Sequence, residues 1–225
     1  IHYKGKSITI PFKVSKQSRD YVLLANVNYP YYNSSFYQVN EQGSTITKLK
    51  PRKRFLFDAG SKTFDSSLFW FVCGYLQRGI DFDSIYAWEL HNFTPSEYWS
   101  KVPKKLLPYI HFYNEAVQPG PNDFQSVVRI IQQIATPDDF VSFKLDIDTP
   151  RIEIPIAMRL LKDQKFASLI DEFFFELHFR CEFMQDCGWG RGIPFNIGDL
   201  SLDHYSAITF FQDIRKNGVR AHFWP

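Results

Sequence analysis

From residue 54 onward, short apolar runs, several ending in an acid, alternate with segments of helical spacing. Arg54-Phe-Leu-Phe-Asp58, Ser84-Ile-Tyr-Ala-Trp-Glu89, Tyr109–Tyr113, Phe140–Asp146 and Phe173–Phe179 read as five strands. Helices are expected from about Asp65 to Gln77, after Thr94-Pro95, over Asp123–Ile134, within 151–166 with a kink at Pro155, and over 201–217. Pro95 suits a first helical position, Pro155 lacks a helix donor, and Asn217-Gly218 is a stop signal. Val219–Trp224 closes with a sixth strand. Strands alternating with helices must pair in parallel, because each crossover returns the chain to the same end of the sheet. The expected fold is therefore α/β: a doubly wound, Rossmann-like, mostly parallel sheet over residues 51–225. Runs such as Phe55-Leu56-Phe57 and Phe173-Phe174-Phe175 fit strands buried on both faces.

Residues 1–50 follow another pattern. Ser7–Val14 alternates, Tyr21–Val27 is a second extended run, and 44–49 a third, so this part reads as a β-rich extension. Tyr29, Tyr31 and Tyr32 lie in a turn-rich stretch, and a basic cluster from Lys48 to Arg54 reads as a solvated connector. The first residue is Ile, and the chain is read as an excised or processed domain of a larger multidomain protein.

Composition narrows the function classes. Formal net charge is +2, too mild to suggest nucleic acid. Cys73, Cys181 and Cys187 make an odd set without a CxxC pair, so neither a disulfide framework nor a zinc site is indicated, and a cytoplasmic, reducing setting is expected. The longest apolar run, Leu68–Leu76, is far short of a membrane span. Aromatic residues make up 18% of the chain, more than a core of ordinary composition uses, so part of them is expected to form a stacking surface. Tyr29, Tyr31, Tyr32, Trp88 and Trp189 are the candidates.

In an open parallel sheet the ligand lies beyond the carboxyl ends of the strands. Those ends carry Asp58, Glu89, Asn114-Glu115, Asp146–Asp148 and Glu176–His178. Asp-Ala-Gly-Ser-Lys-Thr (58–63) has one glycine where a dinucleotide loop has three, which disfavours NAD, and GxxxxGK[ST] is absent. A nucleoside ligand without phosphates fits better, S-adenosylmethionine among them. Asp146 and Asp148 are two apart, as are Glu176 and His178, so each pair shares a face if the strand continues. Three carboxylates and an imidazole suit general-base chemistry or a hard cation such as Mg or Mn. Lys144 offers the alternative of a buried ion network with these acids.

Four segments carry a resemblance to a known family: Phe-Leu-Phe-Asp-Ala-Gly-Ser (55–61), Ile-Tyr-Ala-Trp-Glu (85–89), Phe-Lys-Leu-Asp-Ile-Asp (143–148) and Ile-Asp-Glu-Phe-Phe-Phe-Glu-Leu-His-Phe (170–179). Over residues 54–225 the chain resembles the FkbM-type S-adenosylmethionine-dependent methyltransferases, including sugar O-methyltransferase domains of chlorovirus glycan-building enzymes. Such a viral parent would place the chain in the host cytoplasm. The family's fourth strand carries K-x-D-x-E-G-x-E; here Asp148 stands for the Glu and Thr149-Pro150 follows in place of the glycine. The resemblance implies an O-methyltransferase acting on a hydroxyl of a sugar or glycan, rhamnose-like sugars among the acceptors. It implies that Asp58, Gly60 and Ser61 contact the methionine end of the cofactor, that Glu89 holds the ribose, and that Asn114 and Glu115 flank the adenine. Asp146, Asp148, Glu176 and His178 are the catalytic candidates, with Asp146, Asp148 and Glu176 as metal ligands. Trp189 and Arg191, in a glycine-rich loop, are the candidate sugar contacts. Two other readings stay open: a metal-dependent glycosyltransferase using Asp146-Ile-Asp148, and a non-catalytic Rossmann-like binding module.

Overall fold

The computed structural model describes residues 53–120, 126–180 and 193–224, together with four two-residue strands nearer the N-terminus. Those strands form two antiparallel pairs: β1 (His2–Tyr3) with β2 (Lys6–Ser7), and β3 (Gln38–Val39) with β4 (Thr45–Ile46). β4 falls within the third extended run expected for this region; the run Tyr21–Val27, and Ser7–Val14 beyond Ser7, lie outside the described residues.

The main sheet has six strands: β5 (Arg54–Ala59), β6 (Ser84–Trp88), β7 (Ile110–Tyr113), β8 (Phe140–Leu145), β9 (Glu172–Phe175) and β12 (Arg220–Phe223). All five pairings are parallel, in the order β12-β9-β8-β5-β6-β7. This is the doubly wound α/β fold expected from the alternation. The chain works outward from β5 through β6 to β7, then crosses back to β8. The switch point therefore lies between β5 and β8, and in folds of this kind ligands bind beyond the strand ends at that point.

Each strand divides the core between two faces. Phe55, Phe57, Val141, Phe143, Leu145, Phe173 and Phe175 point to one face. Helices α3 (Val127–Ile134), α4 (Pro150–Lys162), α5 (Gln164–Ala167) and α6 (His204–Lys216) cover it through Ile131, Ile156, Phe166 and Phe211. Leu56, Ile85, Ala87, Phe140 and Phe174 point to the other face, under α1 (Ser67–Leu76) and α2 (Pro95–Trp99). The apolar run 68–76 is thus a helix that buries Leu68, Phe71 and Tyr75. A small hairpin, β10 (Asn196–Ile197) with β11 (Leu200–Ser201), precedes α6.

Local chemistry sets the helix ends. Thr94 and Glu97 form a reciprocal capping box at α2, with Pro95 in the first turn. α4 runs unbroken through Pro155, and the break falls at Asp163. The Asp163 carboxylate accepts the Phe166 N–H at 3.0 Å and so caps α5 instead of continuing α4.

One aromatic expectation is corrected here. Trp88 is wholly buried and stacks on Tyr113, 4.8 Å between ring centres, so it is core and not a ligand platform. Tyr29, Tyr31, Tyr32 and Trp189 lie outside the described residues. No helix among the described residues is long and apolar enough to cross a membrane.

The tightest point of the fold is Gly60, at φ +90°. A Cβ built there would stand 1.5 Å from the Asp146 carbonyl oxygen. The obstruction is backbone on the turn after β8, so no side-chain rotation relieves it. Gly60→Ala is expected to destabilise the fold by about 3 kcal/mol or more, from the strained φ and the clash together. A lowered urea midpoint checks this; an unchanged midpoint would show that the two turns move apart easily.

Candidate functional site

The acids predicted at the strand ends do converge, but they divide into two groups. The first is buried under α1. Lys144 is 1% exposed, with Nζ 3.1 Å from Asp58 Oδ1 and 2.9 Å from Asp146 Oδ2. It also donates to the Gly60 carbonyl at 2.7 Å. Ser67, in the first turn of α1, donates to Asp58 Oδ2 at 2.6 Å. Burial alone would drive the Lys144 ammonium toward neutrality, but Asp58 and Asp146 outweigh it and raise its pKa. Burial pushes the Asp58 carboxyl up, against the pull of Lys144 and Ser67.

Asp58 therefore serves as an internal counter-ion, and with no exposed surface it does not meet a ligand directly. Gly60 is likewise occupied by the chain's own backbone, the Asp146 carbonyl taking the place expected for the ligand. Ser61 is buried, and the Gly60 and Ser61 amides both donate to the Trp88 carbonyl at 3.0 Å. The loop expected to cradle the methionine end is thus tied to β6 by its own N–H groups.

Glu89 stands at the end of β6 as expected. One carboxylate oxygen accepts the Lys62 N–H at 2.9 Å and the other the His91 N–H at 2.7 Å. Each oxygen keeps further lone pairs, so the group can still accept from ribose hydroxyls. Asn114 is a stitch between loops: its amide donates to the Glu89 and His91 carbonyls and accepts the Phe93 N–H. That leaves little of its capacity for an adenine. Glu115 follows it, half-buried.

The second group is Asp148, Glu176 and His178, whose ligand atoms lie within 4.8 Å of one another. His178 Nε2 is 3.3 Å from Glu176 Oε2 and 3.8 Å from Asp148 Oδ1. Asp148 adopts φ +54°, a left-handed conformation that Asp tolerates better than most residues. Glu176 and His178 lie beyond β9, which ends at Phe175, two residues apart on one extended continuation. Of the three expected metal ligands, Asp148 and Glu176 come together and Asp146 stands apart. Asp146 is committed to Lys144, and His178 takes its place beside Asp148 and Glu176. A mixed oxygen and nitrogen donor set suits Mn better than Mg.

The two groups share a proton. Burial, then the hydrogen bond and charge of Asp146, push Glu176 up to about 8, so at neutral pH it stays protonated and donates to Asp146. Asp146 stays ionised: burial opposes this, and Lys144 and the Glu176 donor overcome it. Burial lowers the His178 pKa against the pull of Asp148 and Asp146, which favours the neutral imidazole a general base needs.

Two participants escaped the sequence reading. Glu153 on α4 is 1% exposed and accepts the Ile147 N–H at 2.8 Å, holding the turn that carries Asp146 and Asp148. A signal was present, an acid in the first turn of a helix that follows a strand-end acid pair. Trp224 donates from Nε1 to Asp146 Oδ2 at 3.1 Å; the strand-end rule, applied to the sixth strand, would have found it. Trp189 and Arg191 lie outside the described residues.

Burial raises Glu153 to about 7 from a usual value near 4.5. The folded state therefore binds a proton that the unfolded state has lost, and stability falls as pH rises from about 4.5 to 7. Glu153→Gln keeps the acceptor and removes the titration. Urea unfolding at pH 5 and pH 8 should give a smaller stability difference in the variant; an equal difference would show that Glu153 titrates as an ordinary exposed acid. Compared with known proteins, the chain matches no family model and no curated protein sequence.

Proposed function

We propose that the chain is an S-adenosylmethionine-dependent O-methyltransferase acting on a sugar or glycan hydroxyl. The observation that carries the reading is Asp148, Glu176 and His178 grouped beyond the strand ends, beside the β5–β8 switch point. Glu89, with acceptor capacity left on both oxygens, would hold the ribose, next to the loop of Gly60 and Ser61. The cofactor supplies an electrophilic methyl group on a sulfonium, so the protein's task is alignment and proton removal. His178 takes the hydroxyl proton on its neutral imidazole. Glu176 orients that imidazole at 3.3 Å, and Asp148, with 61% of its side chain exposed, accepts a neighbouring hydroxyl of the sugar. The same three side chains are the donor set that would bind Mn if the deprotonation is metal-assisted.

A glycosyltransferase is disfavoured, because the first Asp of Asp146-Ile-Asp148 is held by Lys144. A non-catalytic binding module is the second reading, favoured by the Asp146 carbonyl standing where the loop would otherwise open to a ligand.

Calorimetry with S-adenosylhomocysteine and with a nucleotide sugar, each with and without Mn, separates the three. Binding of S-adenosylhomocysteine alone is the expected result. Binding of only the nucleotide sugar would sink the methyltransferase reading, and binding of neither would favour the module. His178→Ala is then expected to lower methyl transfer by about 10²–10⁴-fold while leaving S-adenosylhomocysteine affinity unchanged. Transfer at the wild-type rate would remove His178 from the chemistry.

A further inference from the structure

Two tryptophans stand at the same edge as the acids, one of them exposed. Trp70 sits in the first turn of α1 and is 45% exposed. Trp224 follows β12 directly, at the carboxyl edge of the sheet. The two indoles meet edge to face, with centres 5.2 Å apart and planes at 69°. Trp224 is held firmly: its ring stacks on Phe71 at 5.0 Å, its Nε1 donates to Asp146, and Lys144 Nζ lies 5.8 Å from its ring centre. A continuous chain of contacts then runs from Trp224 through Asp146 to Glu176 and on to His178.

This arrangement joins an open indole to carboxylates and an imidazole. The indole offers a flat apolar face with a partial negative charge, which attracts the polarised C–H bonds on one side of a pyranose ring. The acids beyond it accept hydroxyl hydrogens. We infer that Trp70, braced by Trp224, is the stacking platform for a carbohydrate acceptor, and that the Trp224–Asp146 hydrogen bond sets the position of that platform relative to Glu176 and His178. The inference rests on the sugar-acceptor reading above and names where the sugar lies.

The test uses methyl α-rhamnopyranoside and methyl α-mannopyranoside as probes, added to the full chain in saturating S-adenosylhomocysteine. Saturation-transfer NMR reads binding, and the indole N–H resonances read the site on the unmodified protein. The Trp70 indole resonance is expected to shift on addition of at least one probe. Trp70→Ala should weaken that binding about fivefold, while Trp70→Phe retains most of it. Tyr109→Ala, an exposed aromatic at the opposite edge of the sheet, should bind as the wild type does. A probe that binds without shifting Trp70, equal affinity in Trp70→Ala, or S-adenosylhomocysteine binding with no sugar binding would each overturn the platform while leaving the cofactor reading intact. Failure of the wild type to bind S-adenosylhomocysteine would instead overturn the methyltransferase reading itself.

Discussion

One buried ammonium organises the carboxyl edge of this sheet. Lys144 is withdrawn from water, and an isolated charge there would be several kcal/mol unfavourable. Asp58 and Asp146 answer it from the two strand ends on either side of the switch point. The Gly60 carbonyl supplies a third acceptor, and Ser67 brings in the first turn of α1. Two stretches far apart in sequence, 58–67 and 144–146, are thereby tied to a single cation. Such a network specifies geometry more than it adds stability, since two well-packed apolar residues could fill the same space.

That geometry explains the division of labour among the acids. Asp58 and Asp146 compensate Lys144 and are occupied by it. Burial, and then the hydrogen bond to the occupied Asp146, keep the proton on Glu176 at neutral pH. Asp148 is left facing solvent at the edge of the network, with His178 buried beneath it. The ion network and the reactive cluster are therefore one structure, with Glu176 as the shared member.

The architecture was legible because strands buried on both faces are written as continuous apolar runs, and because helices between them dictate parallel pairing. Phe55–Phe57 and Phe173–Phe175 could hardly be anything else. The site was legible in position and not in role. The strand-end rule found Asp58, Glu89, Asp146, Asp148, Glu176 and His178, yet it could not tell an acid facing a buried lysine from one facing solvent. Lys144 lies inside an apolar run, and its direction depends on register with β5, which is a long-range property. The bonding of Asn114 was hidden for the same reason: only the fold shows that its amide bridges two loops. Trp70 was hidden in a run that reads as core, since helical periodicity leaves an exposed position inside an apolar segment.

The contact between Gly60 and the Asp146 carbonyl also bears on how the chain reaches its native state. Gly60 adopts its shape against a backbone atom far along the sequence, and Asp58 gains its counter-ion from the same distant strand. Neither contact exists until β8 has docked beside β5, and closing so long a loop precedes any reward from it. During synthesis the β5 side of the switch point must therefore emerge with an unpaired acid and an unsupported turn. Glu176 and His178 follow only with β9, so a chain interrupted before Lys144 would lack most of the candidate site.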